Sequence, residues 1–266
     1  APTEGEFGDA VLELRSSLSS MLGAAGAPTD GPSGVCVERA TNIETVRGLV
    51  EGEGRDDLRP LLVELKSQRA GELAEAGDFT GAAAAYEELI AGLAGRSRTP
   101  GSDVDTIGLE LRCARAGVLS QLGMHDVALQ DLSEIVDFYR ALVDVGRADL
   151  LVHLVDAWDT RVGVLEEAGL DERALAERRA VVAELGTAVR AGRADLWFSL
   201  LVEQDVLAMA LRAAGRLEEA LGVSEEAVAG FERYVVGSPG EMGHLDMARR
   251  TLSRLRTELG RPLPAP

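Results

Sequence analysis

The fold class predicted from the sequence is all-α, a solenoid of stacked antiparallel helix pairs, and three observations carry it. The 266 residues are 46% hydrophobic but only 4% aromatic, and the apolar set is dominated by Ala, Leu and Val, a balance that suits closely packed helices. Four short blocks, Ala76-Gly77-Asp78, Leu122-Gly123-Met124, Ala168-Gly169-Leu170 and Ala214-Gly215-Arg216, place glycines 46 residues apart each time. Around each glycine the apolar positions follow a helical stripe and not the alternation of a strand.

The columns of this repeat define its two helices. Four residues before the glycine stand Leu73, Leu119, Leu165 and Leu211, and five after it Ala82, Ala128, Ala174 and Ala220. The stripe on either side predicts two helices of roughly 20 residues per period, each about 30 Å long. The glycine belongs at the turn between them, where positive φ ends the first helix. The small Ala lets the second helix approach closely. A hairpin of this kind cannot bury its apolar face alone, so neighbours must stack. A second signal of the same period links Gly146-Arg147-Ala148-Asp149-Leu150 to Gly192-Arg193-Ala194-Asp195-Leu196.

Residues 1–55 read as an irregular N-terminal helix pair, about Gly8–Leu22 and Cys36–Gly52, around a flexible loop at about 24–35 rich in turn residues. Residues 56–260 hold four helix pairs and a C-terminal capping helix that ends at Gly260. Residues 261–266, with three prolines, read as a disordered tail. Terminal repeats of a solenoid are expected to be atypical.

Charge and composition exclude several functions. With 45 Asp+Glu against 27 Lys+Arg the net charge is −18, and phosphate binding needs a basic stripe that is not available, so no nucleic-acid partner is expected. No apolar run spans a bilayer and no secretion signal opens the chain, so a cytoplasmic protein without membrane contact is expected. Lys66 is the only lysine, a composition typical of a high-GC genome such as an actinobacterial one. Cys36 and Cys113 are too few for a disulfide framework or a zinc cluster. The histidines, His125, His153 and His244, lie far apart, and His125, just after a turn, is expected to be solvated. No P-loop, phosphate fingerprint or nucleophile elbow is present, and adjacent Glu-Glu pairs point about 100° apart on a helix and do not share a site. No catalytic residue, metal or cofactor is therefore assigned, and an enzyme is not expected.

Eight residues before the glycine stand Arg69, Arg115 and Arg161, next to the apolar stripe. A partly covered guanidinium needs carboxylate partners. The column is therefore either a structural Arg ladder paired with Asp or Glu of its own or the next repeat, or a row of anion contacts for a ligand.

These residues resemble the tetratricopeptide repeat (TPR). Its pattern W-x2-L-G-x2-Y, A-x3-F, P aligns with Trp158 in the Trp slot, Leu207 in the Leu slot and the Ala82, Ala128, Ala174 and Ala220 column in the small slot. The chain departs from the pattern in its closing position, which is not Pro, and in its period of 46 instead of 34. It is similar in this to an elongated subclass seen in actinobacterial proteins and, more distantly, in kinesin light chains. The resemblance implies a right-handed superhelix whose concave wall is lined by first helices. On that wall it implies ligand contacts at Glu64, Glu75, Glu110, Asp156, Asp159, Glu166, Glu167 and Asp205, with Arg212 the basic member. Such a groove is acidic and does not suit the carboxylate-clamp mode that captures acidic tails. The expected function is a non-enzymatic interaction scaffold that binds a protein segment, one with basic or Arg-rich chemistry by complementarity. The alternatives are a ligand- or peptide-sensing regulatory domain of a larger signalling or transcription protein, and a self-assembly module. The absence of a helix-turn-helix or nucleotide-binding start favours the scaffold if the chain is complete.

Overall fold

The computed structural model describes residues 32–93 and 103–262. Ten α-helices, and no strand, are found among the described residues. The chain divides into two compact units, Ala1–Val118 and Leu119–Pro266.

In the first unit, α1 (Pro32–Gly52) is followed by a single 3-10 turn, then α2 (Arg59–Glu75), α3 (Phe79–Leu93) and the greater part of α4 (Asp103–Gln121). Pro60 lies in the first turn of α2, where its missing N–H costs no helical bond. Val46 and Val50 of α1 bury against Leu58 and Leu61. Ala70, Ala82, Tyr86, Leu89, Leu111 and Val118 form the next core layer. The expected helix at Gly8–Leu22 and most of the expected loop lie outside the described residues. Residues 32–35, assigned to that loop, instead begin α1, in keeping with the preference of Pro for the first helical position.

In the second unit come α5 (His125–Asp144), α6 (Leu151–Glu167), α7 (Asp171–Arg190), α8 (Trp197–Ala213), α9 (Leu217–Tyr234) and α10 (Met242–Glu258). Helices adjacent in sequence pack against one another, and the first helices α8 and α10 also touch directly. Trp158 is buried on α6 with the Arg140 guanidinium 4.6 Å above its ring. Beyond α10, Arg261 is held by the Arg256 carbonyl and paired with Glu218 at 2.5 Å, so the first residue of the expected tail is tied down. Residues 263–266 lie outside the described residues.

The hairpin turns explain two of the sequence columns together. Gly123 has φ of 76°. Its N–H bonds the Ser120 carbonyl at 2.8 Å, and the Met124 N–H reaches back to the Leu119 carbonyl at 2.9 Å. This is a Schellman closure, which satisfies the last carbonyls of the helix through one left-handed residue. The same pair of bonds recurs at Gly77, Gly169 and Gly215, where the residue after the glycine bonds Leu73, Leu165 and Leu211. The leucine column therefore marks the third-last turn position of the first helix in all four repeats, while α10 closes in the same way on Arg256.

The connectors between pairs form a second motif. Gly146 (φ 103°) and Gly192 (φ 104°) each precede a single 3-10 turn whose leucine, Leu150 or Leu196, is buried. In both, the arginine grips the aspartate two residues on with two bonds, Arg147 to Asp149 and Arg193 to Asp195, each with Nε to Oδ1 at 2.9 Å. Gly54-Arg55-Asp56-Asp57-Leu58 repeats the motif with Arg55 Nε to Asp57 Oδ1 at 2.9 Å and Leu58 buried, a copy that the sequence columns did not reveal.

Stacking brings equivalent positions side by side. Gln121 donates to Glu167, and Arg212 Nε to Glu258 Oε1 at 2.8 Å, in each case across 46 residues. The alanine column is sealed at these crossings, with exposures of 0% at Ala128 and Ala220 and 1% at Ala174. At Gly230 the approach is closer still, because an added Cβ would stand 2.1 Å from Leu201 Cδ2.

Two expectations follow for stability. Ala174→Leu overpacks a sealed crossing and costs on the order of 1–3 kcal/mol, seen as a lowered midpoint in thermal unfolding; an unchanged midpoint contradicts the packing. Gly123→Val forces a β-branched residue to positive φ and costs roughly 1–3 kcal/mol, while Gly123→Ala costs less. Urea titration of the pair, with Val no worse than Ala, would count against the turn assignment.

Candidate functional site

The first helices of the second unit carry most of the expected groove residues, and their side chains are used in three different ways. Some are consumed by the stack. Arg212 is tied to Glu258, and Glu167 accepts bonds from both Ser120 and Gln121. Ser120 Oγ also lies 3.0 Å from His125 Nδ1, so His125 is half-buried in this network and not merely solvated. Ser, His and Glu meet here in the wrong order for nucleophilic catalysis. The hydroxyl is buried and its hydrogen goes to a carboxylate, so the imidazole has no proton to abstract.

Others are neutralised from the second helix. Arg178 of α7, 11% exposed at its side chain, donates from Nη1 to Asp159 at 3.2 Å and from Nε to Glu166 Oε1 at 3.1 Å. Arg161 of α6 likewise donates from Nε to Glu177 of α7 at 2.7 Å, with both side chains largely covered. That pair is the carboxylate-bridged arrangement of the proposed ladder within a single repeat. Arg69 is exposed and Arg115 half-buried, both in the first unit. Glu110 belongs to the first unit as well, exposed on α4.

The third set has no such partner. Asp156 is exposed on α6, three residues before Asp159 and on the same face. Desolvation raises its pKa, His153 opposes that shift and Asp159 reinforces it. Facing them is Glu203 of α8, only 7% exposed, whose Oε2 has no hydrogen-bond partner. Burial pushes Glu203 up to about 7, Asp159 and Asp156 add to the rise, and Arg178 offsets part of it. A buried carboxylate beside others of like charge favours the protonated form for these two reasons together.

On its other side α8 forms a cleft with α10 of about 300 Å³, lined by Val202, Asp205, Met209, His244, Met247 and Arg250. Met209 and Met247 are 46% and 51% exposed. Asp205 is buried, with Oδ1 unpartnered. Burial raises its pKa, and the nearby Thr251 hydroxyl works against that rise. Arg250 and Arg254 border the same cleft, so the wall is not uniformly acidic. His244 is fixed at its end by Glu241 at 3.0 Å and by the edge of Phe198, 4.9 Å away.

Sequence reasoning missed Arg178 and Glu203. Nothing in the columns marks Arg178, since a long side chain on a second helix crosses to the first-helix wall only in three dimensions. Glu203 did leave a signal. It stands twelve residues before Gly215, where the other copies have Leu65, Leu111 and Ala157, and a charge in an otherwise apolar column marks a local conflict.

Among the described residues no group of three or more His, Cys, Asp or Glu could hold a metal ion, and no helix is long and apolar enough to cross a membrane. The class defined by these features is an all-α, TPR-like repeat protein built of paired antiparallel helices. Solved structures share that fold. Nearly identical TPR-like repeats assigned to a kinesin light chain of Podosopora anserina match with a TM-score of 0.55 and 19% identity, over 77% of this chain and 87% of that one. A point variant of those repeats matches with the same score at 18% identity, over the same shares of the two chains. BtubC (BKLC) from P. vanneervenii matches with a TM-score of 0.58 and 15% identity, over 87% of this chain and 93% of that one. The likeness is one of fold, shared with these TPR-like repeats. No protein-family model matches the chain, and no curated protein matches it.

Glu203 makes stability depend on pH. Its carboxyl binds a proton more tightly folded than unfolded, because about 7 lies above the ordinary 4.5. Its contribution is therefore fully favourable below the lower value and is lost as pH rises through the higher one. Glu203→Leu removes that loss, so between about pH 5 and about pH 8 the parent gives up on the order of 1–3 kcal/mol relative to the variant. Urea unfolding at the two pH values reads this directly, and parallel behaviour of the two proteins would mean that Glu203 is not desolvated.

Proposed function

We propose that the chain is a non-enzymatic interaction scaffold that binds a protein segment along the first helices α6, α8 and α10. The observation that carries this reading is the α8–α10 cleft. Two half-exposed methionines flank it, and a buried aspartate with an unpartnered oxygen lies at its floor. Thioether side chains adapt to irregular apolar surfaces. A few polar groups in a mostly apolar cleft fix the orientation of what enters. The TPR-like fold supports the reading, since the resemblance implies ligand contacts on first helices.

Packed helices lie ~8–10 Å apart, so a row of three stacked first helices would offer ~20 Å, room for roughly six residues of extended chain at ~3.3–3.6 Å each. The segment is basic towards α6, where Asp156, Asp159 and Glu166 stand against one Arg178. It is apolar over α8 and α10. Basic character speeds encounter and rejects acidic competitors more than it sets final affinity.

Fluorescence polarisation with a panel of short peptides, graded in charge and apolar content, tests the reading. Peptides that combine an apolar residue with a basic one bind, and Met209→Asp with Met247→Asp weakens them at least about tenfold, the equivalent of ~1.4 kcal/mol. Both residues are half-exposed, so thermal unfolding of the double variant stays close to that of the parent. If no peptide binds, or if the double variant binds them equally well, the cleft is not the docking surface.

A further inference from the structure

We propose that Glu203, Asp156 and Asp159 form a seat for one cationic side chain, a guanidinium or an ammonium, carried by the bound segment. The proposal rests on the segment-binding reading above and deepens it by fixing the charge that the segment brings and the place where it lands.

The seat is built by a departure from the repeat. At the position of Glu203 the other copies place Leu65, Leu111 and Ala157, so helix packing there is satisfied by an apolar side chain. The fourth copy instead buries a carboxylate with an oxygen that nothing bonds. A buried polar atom left unpaired carries its desolvation penalty uncompensated, and a like charge nearby adds to that. Asp156 and Asp159 supply the like charges from α6, one helical turn apart.

The cation already present does not satisfy them. Three of the five Arg178 N–H groups go to Asp159 and to both oxygens of Glu166, and none reaches Glu203 Oε2. Four carboxylates, those of Asp156, Asp159, Glu166 and Glu203, thus share one guanidinium, with the His153 imidazole bearing on Asp156. A divalent metal would need six or more oxygens at short range, and the described residues do not gather them. An organic cation needs only two or three acceptors and matches paired carboxylates by charge-assisted bonds.

The charged groups that bear on Glu203 are Asp159 and Asp156 from α6 and Arg178 from α7. Asp205, two residues further along α8, is influenced instead by Thr251 of α10. A Glu203 that holds a proton near neutral pH gives it up when a cation arrives, so uptake of the cation releases a proton. Affinity for a cationic segment then falls as pH drops below about 7.

The probe is a peptide of about nine residues, alternating Ala and Leu around one central Arg, and a twin in which citrulline replaces that Arg. Calorimetry is run on the full chain at about pH 6 and about pH 8, with the parent, Glu203→Gln and Glu203→Leu. The Arg peptide binds the parent about tenfold more tightly at the higher pH, the citrulline twin shows no such shift, and both variants flatten the Arg profile. Thermal unfolding confirms that Glu203→Leu, which restores the residue type of two other repeats, stays folded. Equal binding of Arg and citrulline peptides to the parent overturns the seat and leaves the segment-binding reading standing. An Arg preference with the same pH profile in Glu203→Leu overturns the seat as well. Failure of both peptides to bind the parent overturns the seat together with the reading beneath it.

Discussion

The left-handed glycine that ends each first helix is the constraint on which the rest of the structure depends. A helix leaves its last carbonyls without partners, and in the four repeats the residue after the glycine returns to bond the leucine four positions before that glycine. That closure fixes the helix end to the residue, so the reversal of the chain and the register of the second helix are fixed as well. The alanine five positions later then meets the first helix at a sealed crossing. Because each pair ends in the same place, the next pair starts in the same place. Equivalent columns come to lie beside one another, as the contacts from Gln121 to Glu167 and from Arg212 to Glu258 demonstrate.

What this made legible in the sequence was the backbone. The glycine, leucine and alanine columns place the helices, because each reports a local requirement of φ, capping or close approach that a single residue type meets. The connector was half legible. Its copies at Gly146 and Gly192 share five residues, but the copy at Gly54 has Asp56 where the others have Ala, and only the common Arg-to-Asp grip and the buried leucine identify it. The site was much less legible. A column shows which face of a helix a residue occupies, yet the charge on that face depends on long side chains that arrive from other helices. Arg178 changes the balance at Asp159 and Glu166 from a position that no first-helix column contains.

The same reasoning divides the acidity of the wall into two kinds. Asp159, Glu166 and Glu167 are acceptors for groups within the stack, and exposed pairs of this sort contribute little beyond local order and solubility. Glu203 and Asp205 are different, since both are buried and both retain an unpartnered oxygen. They sit on one helix, two residues apart, and α8 turns Glu203 towards α6 and α7 and Asp205 towards α10. One helix therefore carries both polar points of the wall, with the apolar Val202 and Met209 alongside.

That concentration is hard to ascribe to folding. The stack accepts leucine or alanine in the Glu203 column in every other repeat, and Leu111 and Ala157 are buried there. In the Asp205 column, Ser67 and Cys113 stand in the first two copies, and the third holds Asp159, which is exposed and so keeps its hydration. An apolar or weakly polar residue at either place would avoid the desolvation that burial imposes on a carboxylate. The fold thus offers a less costly solution at both positions and the fourth repeat declines it twice on the same helix. A stability-only account has no term that favours those two choices, whereas the cationic segment proposed above would offset the cost at Glu203 in the place where it arises.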